Sequence, residues 1–242
     1  LLKMIGLDTP IKTFYLATSL YAFSFLLSFF EKRISNVFLA IGLIINLVSE
    51  AAGRYLTWPF CNMFSEPYFL PIIFSSYYLL KDRKDRIMQG FILISSLIPS
   101  LFSEGYYPPY TLMSKSIYAH IFHLFLFTAH ALLFLSAYRA IFSKEDAYSL
   151  ATYGFFLLCI AGFFGMIWSY VGRGDIISWN YFYFENIAIW FYYLAFFHLR
   201  PKRILFHLLM GASLILFFDY LPQIGGINSM GILYERLHGL YK

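Results

Sequence analysis

The sequence predicts an all-α protein, a polytopic transmembrane helix bundle of about eight spans forming a single domain over residues 1–242. Three observations carry that expectation. Of the 242 residues, 60% are hydrophobic and 22% aromatic, while only 13% are Asp, Glu, Lys or Arg, about half the charged share of a soluble domain. The apolar residues come in runs long enough to cross a hydrocarbon core of roughly 30 Å. The few charges gather in short clusters between those runs. This pattern excludes a water-filled cleft on a soluble scaffold, a nucleic-acid reader and a disulfide-stapled secreted domain. The net charge of +5 is no footprint of a polyanion, because Lys and Arg collect in the cytoplasmic connections of membrane proteins for topological reasons.

Taken in order, the spans cover residues 11–30, 34–52, 67–80, 87–102, 117–142, 150–171, 184–199 and 204–221. Glu31, Lys32 and Arg33 separate the first two, and Arg54 stops the second. The third is the shortest and fits a partly re-entrant segment. Lys81-Asp82-Arg83-Lys84-Asp85-Arg86 divides it from the fourth; Arg139, Lys144, Glu145 and Asp146 flank the turn from fifth to sixth; Arg200, Lys202 and Arg203 precede the eighth. No run reads as a cleavable signal peptide, since the first lacks a small-residue cleavage site. The chain opens on Leu1 rather than Met, as expected where N-terminal residues precede it or have been removed.

Lys and Arg also orient the chain. The connections after the first, third, fifth and seventh spans hold eleven, and the opposite connections hold three: Arg54, Lys115 and Arg173. That imbalance places both termini on the outer side. Three loops face outward with them, at about 54–66, 103–116 and 172–183. They read RYLTWPFCNMFSEP, SEGYYPPYTLMSKS and GRGDIISWNYFY, rich in aromatics and poor in charge. An interfacial aromatic belt explains part of this; the plain inner connections point to an outer surface for something flat and apolar. Cys61 and Cys159 form no C-x-x-C and indicate neither a redox centre nor a zinc site.

Six histidines remain: His120, His123, His130, His198, His207 and His238. An ionisable group inside a span is expensive and is a functional hypothesis by default. His120, His123 and His130 share one broad face of the fifth span, with His120 near its outer end. Zinc lacks ligands at the right spacing. Heme suits the composition better, because an iron porphyrin needs one or two axial imidazoles inside an apolar, aromatic cage. Histidines bonded across helices as polar glue are the structural alternative. A proton relay among Glu50, His130 and His198 has no ordered spacing behind it.

At this point the residues resemble a known family, the heme-handling cytochrome c assembly proteins of the CcsA/CcmC type. Their outer loop runs roughly W-A-x-x-A-W-G-x-Y-W-S-W-D-P-K-E and is followed by a span ending in H-x-R. Here WSYVGRGDIISWNYFYFE runs from Trp168 to Glu185, and the next span ends His198-Leu199-Arg200. Trp168, Gly174, Ser178 and Trp179 fall in register. Pro59, Asn62, Phe64 and Glu66 resemble the family's outer P-x-x-N-x-Y-E segment with one extra residue, and His120 opens a span as a family histidine does. The likeness covers roughly residues 54–231 in the right order. The chain departs from the pattern at Arg173 and Ile177, where Trp is expected, at Asn180 in place of Asp, in two extra residues before Glu185, and at Asn228 in place of a second outer histidine.

The resemblance implies that heme b is held at the outer face and presented to an apocytochrome c, as part of a possible heme lyase working with a companion membrane subunit. On this reading Trp168, Trp179, Asn180 and Glu185 contact the cofactor. His120 ligates iron from the outside, His238 substitutes for the missing second histidine, and His198 serves a second heme position toward the inner face. The membrane is then a prokaryotic inner membrane or a thylakoid or organellar one. A competing class is an inactive family member anchoring a larger, respiratory-type complex. A secondary transporter predicts internal repeats, and the two halves show none.

Overall fold

The computed structural model describes residues 9–57, 66–81, 83, 85–102, 116–142, 145–177, 181–199 and 201–221, without the side chains of 9, 54–57, 66 and 181–183. The described residues form eight α-helices and no strand: α1 (Thr9–Leu27), α2 (Lys32–Thr57), α3 (Glu66–Lys81), α4 (Arg86–Phe102), α5 (Ile117–Ile141), α6 (Ala147–Arg173), α7 (Tyr181–Leu199) and α8 (Ile204–Ile215), the last running into a π-helical turn, Leu216–Tyr220. Each falls where an apolar run predicts one. Helices α2, α5 and α6 are long and apolar enough to cross a membrane.

The distribution of polarity inverts that of a soluble protein. Ser24, Ser35, Asn46, Ser75, Ser96, His123, His130 and Ser136 are fully buried, while Phe23, Leu26, Ile44, Val48, Phe156 and Phe163 stand exposed. A water-facing surface of that kind is disfavoured; an apolar solvent accepts it, and inside it the polar side chains bond one another across helices.

Two cores share α5. Phe122, Leu126, Ala129, Leu133 and Ala137 pack with α6, α7 and α8, whereas Ala131, Leu135 and Tyr138 pack with α1–α4. The α5–α6 seam is set by small residues. Ala147, Ala151, Gly154, Leu158, Ala161 and Gly165 recur at alternating steps of four and three, the 3.5-residue period of helices wound about each other. A Cβ on Gly154 would lie 2.9 Å from the Leu133 side chain and 3.2 Å from the Ala129 carbonyl, and one on Gly165 3.1 Å from Phe122. The pairs Leu133–Gly154 and Phe122–Gly165 make the two helices antiparallel. Likewise Tyr193 meets Gly211 and Phe196 meets His207, so α7 and α8 are antiparallel. The end where α5 and α7 begin and α6 finishes is called the top below.

At the opposite end Asp146, preceding α6, accepts hydrogen bonds from Arg139 Nε at 2.7 Å and from the Tyr77 hydroxyl. Partial burial alone would raise the Asp146 carboxyl, but Arg139 and Tyr77 outweigh it and hold it below the usual carboxylate range. Tyr138 donates to Asp85 at 2.9 Å, so α3, α4, α5 and α6 are tied together beneath the apolar layer.

Candidate functional site

The top of the α5–α6 pair gathers histidines and aromatic rings. Ser116 caps α5, accepting the Tyr118 amide at 3.2 Å, which starts the helix just before His120. One turn later His123 is fully buried, its ring 5.6 Å from that of Trp168 and 5.4 Å from Phe127. Trp168 also lies 5.7 Å from Phe122. His123 Nδ1 is 2.7 Å from the Ala119 carbonyl. A carbonyl only accepts, so the proton sits on Nδ1 and Nε2 is the basic nitrogen of the ring. His120 is half-buried, closer to the open top than the enclosed His123.

Of the residues singled out by sequence, Trp168 and His120 therefore share the top of one helix pair. Just above them Gly174 ends α6 with φ of +77°, a left-handed C-cap whose amide donates to the Tyr170 carbonyl at 2.8 Å. Glu185 is in the second turn of α7; its Oε2 is buried and makes no hydrogen bond. His198 is at the other end of α7, exposed, with Nδ1 2.9 Å from the Leu194 carbonyl. His207 lies on α8 against Phe196, and Tyr192 donates its hydroxyl to the His207 carbonyl at 2.8 Å. Trp179, Asn180, Asn228, His238 and Cys61 lie outside the described residues. Cys159 is a free thiol that accepts the Trp190 indole N–H at 3.2 Å.

Deeper, near the middle of α5, lies a group that sequence reading missed. His130 Nδ1 stands 3.0 Å from Asp219 Oδ2, with both side chains buried. Asp219 sits in the π-helical turn, which carries one extra residue per turn and re-aims side chains that a regular helix would point elsewhere. The next residue helps hold the turn: Tyr220 donates to the Ser95 carbonyl at 3.4 Å. Pro99 inside α4 has no N–H to return to that carbonyl. His130 thus pairs with Asp219. The signal was present, since Asp219 is the one acid in the eighth apolar run.

The donor set at the top fits an iron porphyrin chemically. His123 carries a backbone-fixed ring proton that leaves its Nε2 basic, the arrangement usual in metal-ligating histidine, and Trp168 and Phe122 supply flat apolar surface. No protein-family model and no curated protein matches the chain.

Proposed function

We propose that this protein is a membrane heme-handling protein resembling the cytochrome c maturation factors, an eight-span bundle with both termini on the outer side. The observation that carries the reading is the meeting of the His120–His123 end of α5 with Trp168 at the end of α6. That is the place where the family resemblance puts the outer axial histidine and the start of the Trp-rich loop.

In this reading His120 would hold the iron of heme b, and Trp168 and Trp179 would pack against the porphyrin. His123 stays enclosed among Phe122, Phe127 and Trp168 and keeps the ring stack rigid under His120. Asn180 offers a hydrogen bond without the charge of the family's Asp. His238 would be the second ligand to that iron, and His198 would serve an inner heme position on the delivery route. When bound, heme would supply the vinyl groups for thioether formation; the protein's part would be to hold it where an apocytochrome c can reach it. A companion membrane subunit completes the inner position.

The test is a reduced-minus-oxidised visible spectrum with a pyridine hemochrome assay on the detergent-purified protein. Near-stoichiometric low-spin heme, lost or shifted in His120→Ala, is the expected result. A heme-free protein from heme-replete cells would instead favour the anchor-subunit reading, to which Asn228 and Arg173 already lean.

A further inference from the structure

We propose that the bottom of α1–α4 is a binding site for the phosphate headgroup of an anionic phospholipid, held by Arg83 and Arg86 beside Lys32 and Arg33. The inference is independent of the heme reading, none of whose residues it uses.

Two short connections meet at this end, residues 31–33 between α1 and α2 and residues 81–86 between α3 and α4. Together they hold six basic and three acidic side chains. A knot of neutral side chains pins the connections side by side. Gln89, in the first turn of α4, donates to the Ser35 hydroxyl at 3.0 Å and to the Tyr78 hydroxyl at 2.9 Å. The Tyr78 hydroxyl donates to the Arg83 carbonyl at 2.7 Å and stands 3.1 Å from Asn36 Oδ1. The Arg83 backbone therefore lies against the start of α2, where Lys32 and Arg33 are exposed.

Both arginines are held in place. The Arg86 guanidinium lies over the Phe29 ring, 5.4 Å from its centroid, and Arg83 donates Nε to the Leu79 carbonyl at 2.6 Å. Neither contact uses the paired Nη donors, which match two oxygens of a phosphate. The ion pairs among the described residues are His130–Asp219 and Arg139–Asp146, and neither involves these cations. Glu31 accepts the Arg33 amide at 3.2 Å, and Asp85 accepts the Met88 amide at 3.1 Å and the Tyr138 hydroxyl. The clamp beneath α5 and α6 thus balances its arginine internally, and the end of α1–α4 keeps a positive surplus at the surface.

Topology alone puts basic residues at one end of a membrane bundle. It does not set two fixed guanidiniums beside exposed apolar side chains. Phe29 is 55% exposed, Phe30 87% and Leu80 83%. That mixture suits the boundary between headgroups and acyl chains, with Phe29, Phe30 and Leu80 against the chains and the arginines at the phosphate. A free anion in water would meet only the charged part, and the apolar part commits the site to a lipid.

The test is native mass spectrometry of the detergent-purified full chain, titrated with phosphatidylglycerol and, separately, with phosphatidylcholine of the same acyl chains. The wild type is expected to bind one phosphatidylglycerol about tenfold more tightly than phosphatidylcholine. Arg83→Gln with Arg86→Gln should abolish that preference. Arg86→Lys, which keeps the charge and loses the fork, should weaken it severalfold. Lys202→Gln with Arg203→Gln, in the basic connection before α8, should leave it unchanged. All of these side chains except Lys32 and Arg33 of the site are altered at exposed positions, so the fold does not depend on them. Equal binding of the two lipids by the wild type, an equal loss in the Lys202 and Arg203 variant, or displacement of the lipid by millimolar inorganic phosphate would each overturn the proposal.

Discussion

In α1–α4 the buried polar side chains are neutral and bond one another. Ser24 and Ser35 exchange hydroxyl-to-carbonyl bonds at 2.9 and 2.8 Å, Gln89 donates to Ser35 at 3.0 Å and to Tyr78 at 2.9 Å, and Ser49 donates to the Pro10 carbonyl. In α5–α8 and the π-helical turn the buried polar side chains include ionisable ones: His123, His130, Asp219 and one oxygen of Glu185. Neutral polar groups in an apolar medium act as glue worth about 1 kcal/mol per contact. Ionisable ones cost more than glue returns and need another reason to be there. The contrast separates a scaffold half from a chemical half, with α5 serving both.

Substitutions that break or sharpen this contrast run from large to small. Gly154→Leu forces a side chain into Leu133 and the Ala129 carbonyl and should destabilise by about 3 kcal/mol. Gly162→Leu on the same helix meets nothing within 4 Å and should leave stability unchanged or slightly raised. Thermal unfolding in detergent compares the two, and equal effects would dissolve the seam.

Gln89→Leu removes a neutral bridge among α2, α3 and α4. It should cost about 1 kcal/mol, by the same amount from pH 5 to 8, because none of its partners titrates there. A strong pH dependence of that loss would mean that the scaffold half carries hidden charge.

A smaller effect is expected at the bottom clamp. The Asp146 carboxyl is held low by Arg139 and Tyr77 against the opposing effect of burial. Its contribution is therefore fully present above the ordinary carboxyl pKa of about 3.9 and is lost as pH falls through the lower folded value. Asp146→Asn should be less stable than the wild type by about 0.5 kcal/mol at pH 7. That gap should close only below about pH 4. A gap that grows in acid would reverse the assignment.

The helices were legible because apolar run length and charge clusters bound them. α7 begins at Tyr181, three residues before the predicted 184, because the aromatic start of the run forms helix. Long-range placement was not legible. Residues three apart, His120 and His123, look equivalent in sequence; only the packing of Phe122, Phe127 and Trp168 encloses one and leaves the other half-buried. The π-helical turn has no local signature in LFFDY, so Asp219 read as a residue of a plain apolar helix. Its reach to His130 depends on how α8 lies against α5.

The most direct measurement is a heme titration of the purified protein followed by visible absorbance, with one variant from each half. Wild type and Gln89→Leu should both bind near-stoichiometric heme with a low-spin spectrum, while His120→Ala should lose it or turn high-spin. Equal spectra for His120→Ala and Gln89→Leu, or no heme bound by any of the three, would contradict the assignment of heme chemistry to the top of α5 and α6.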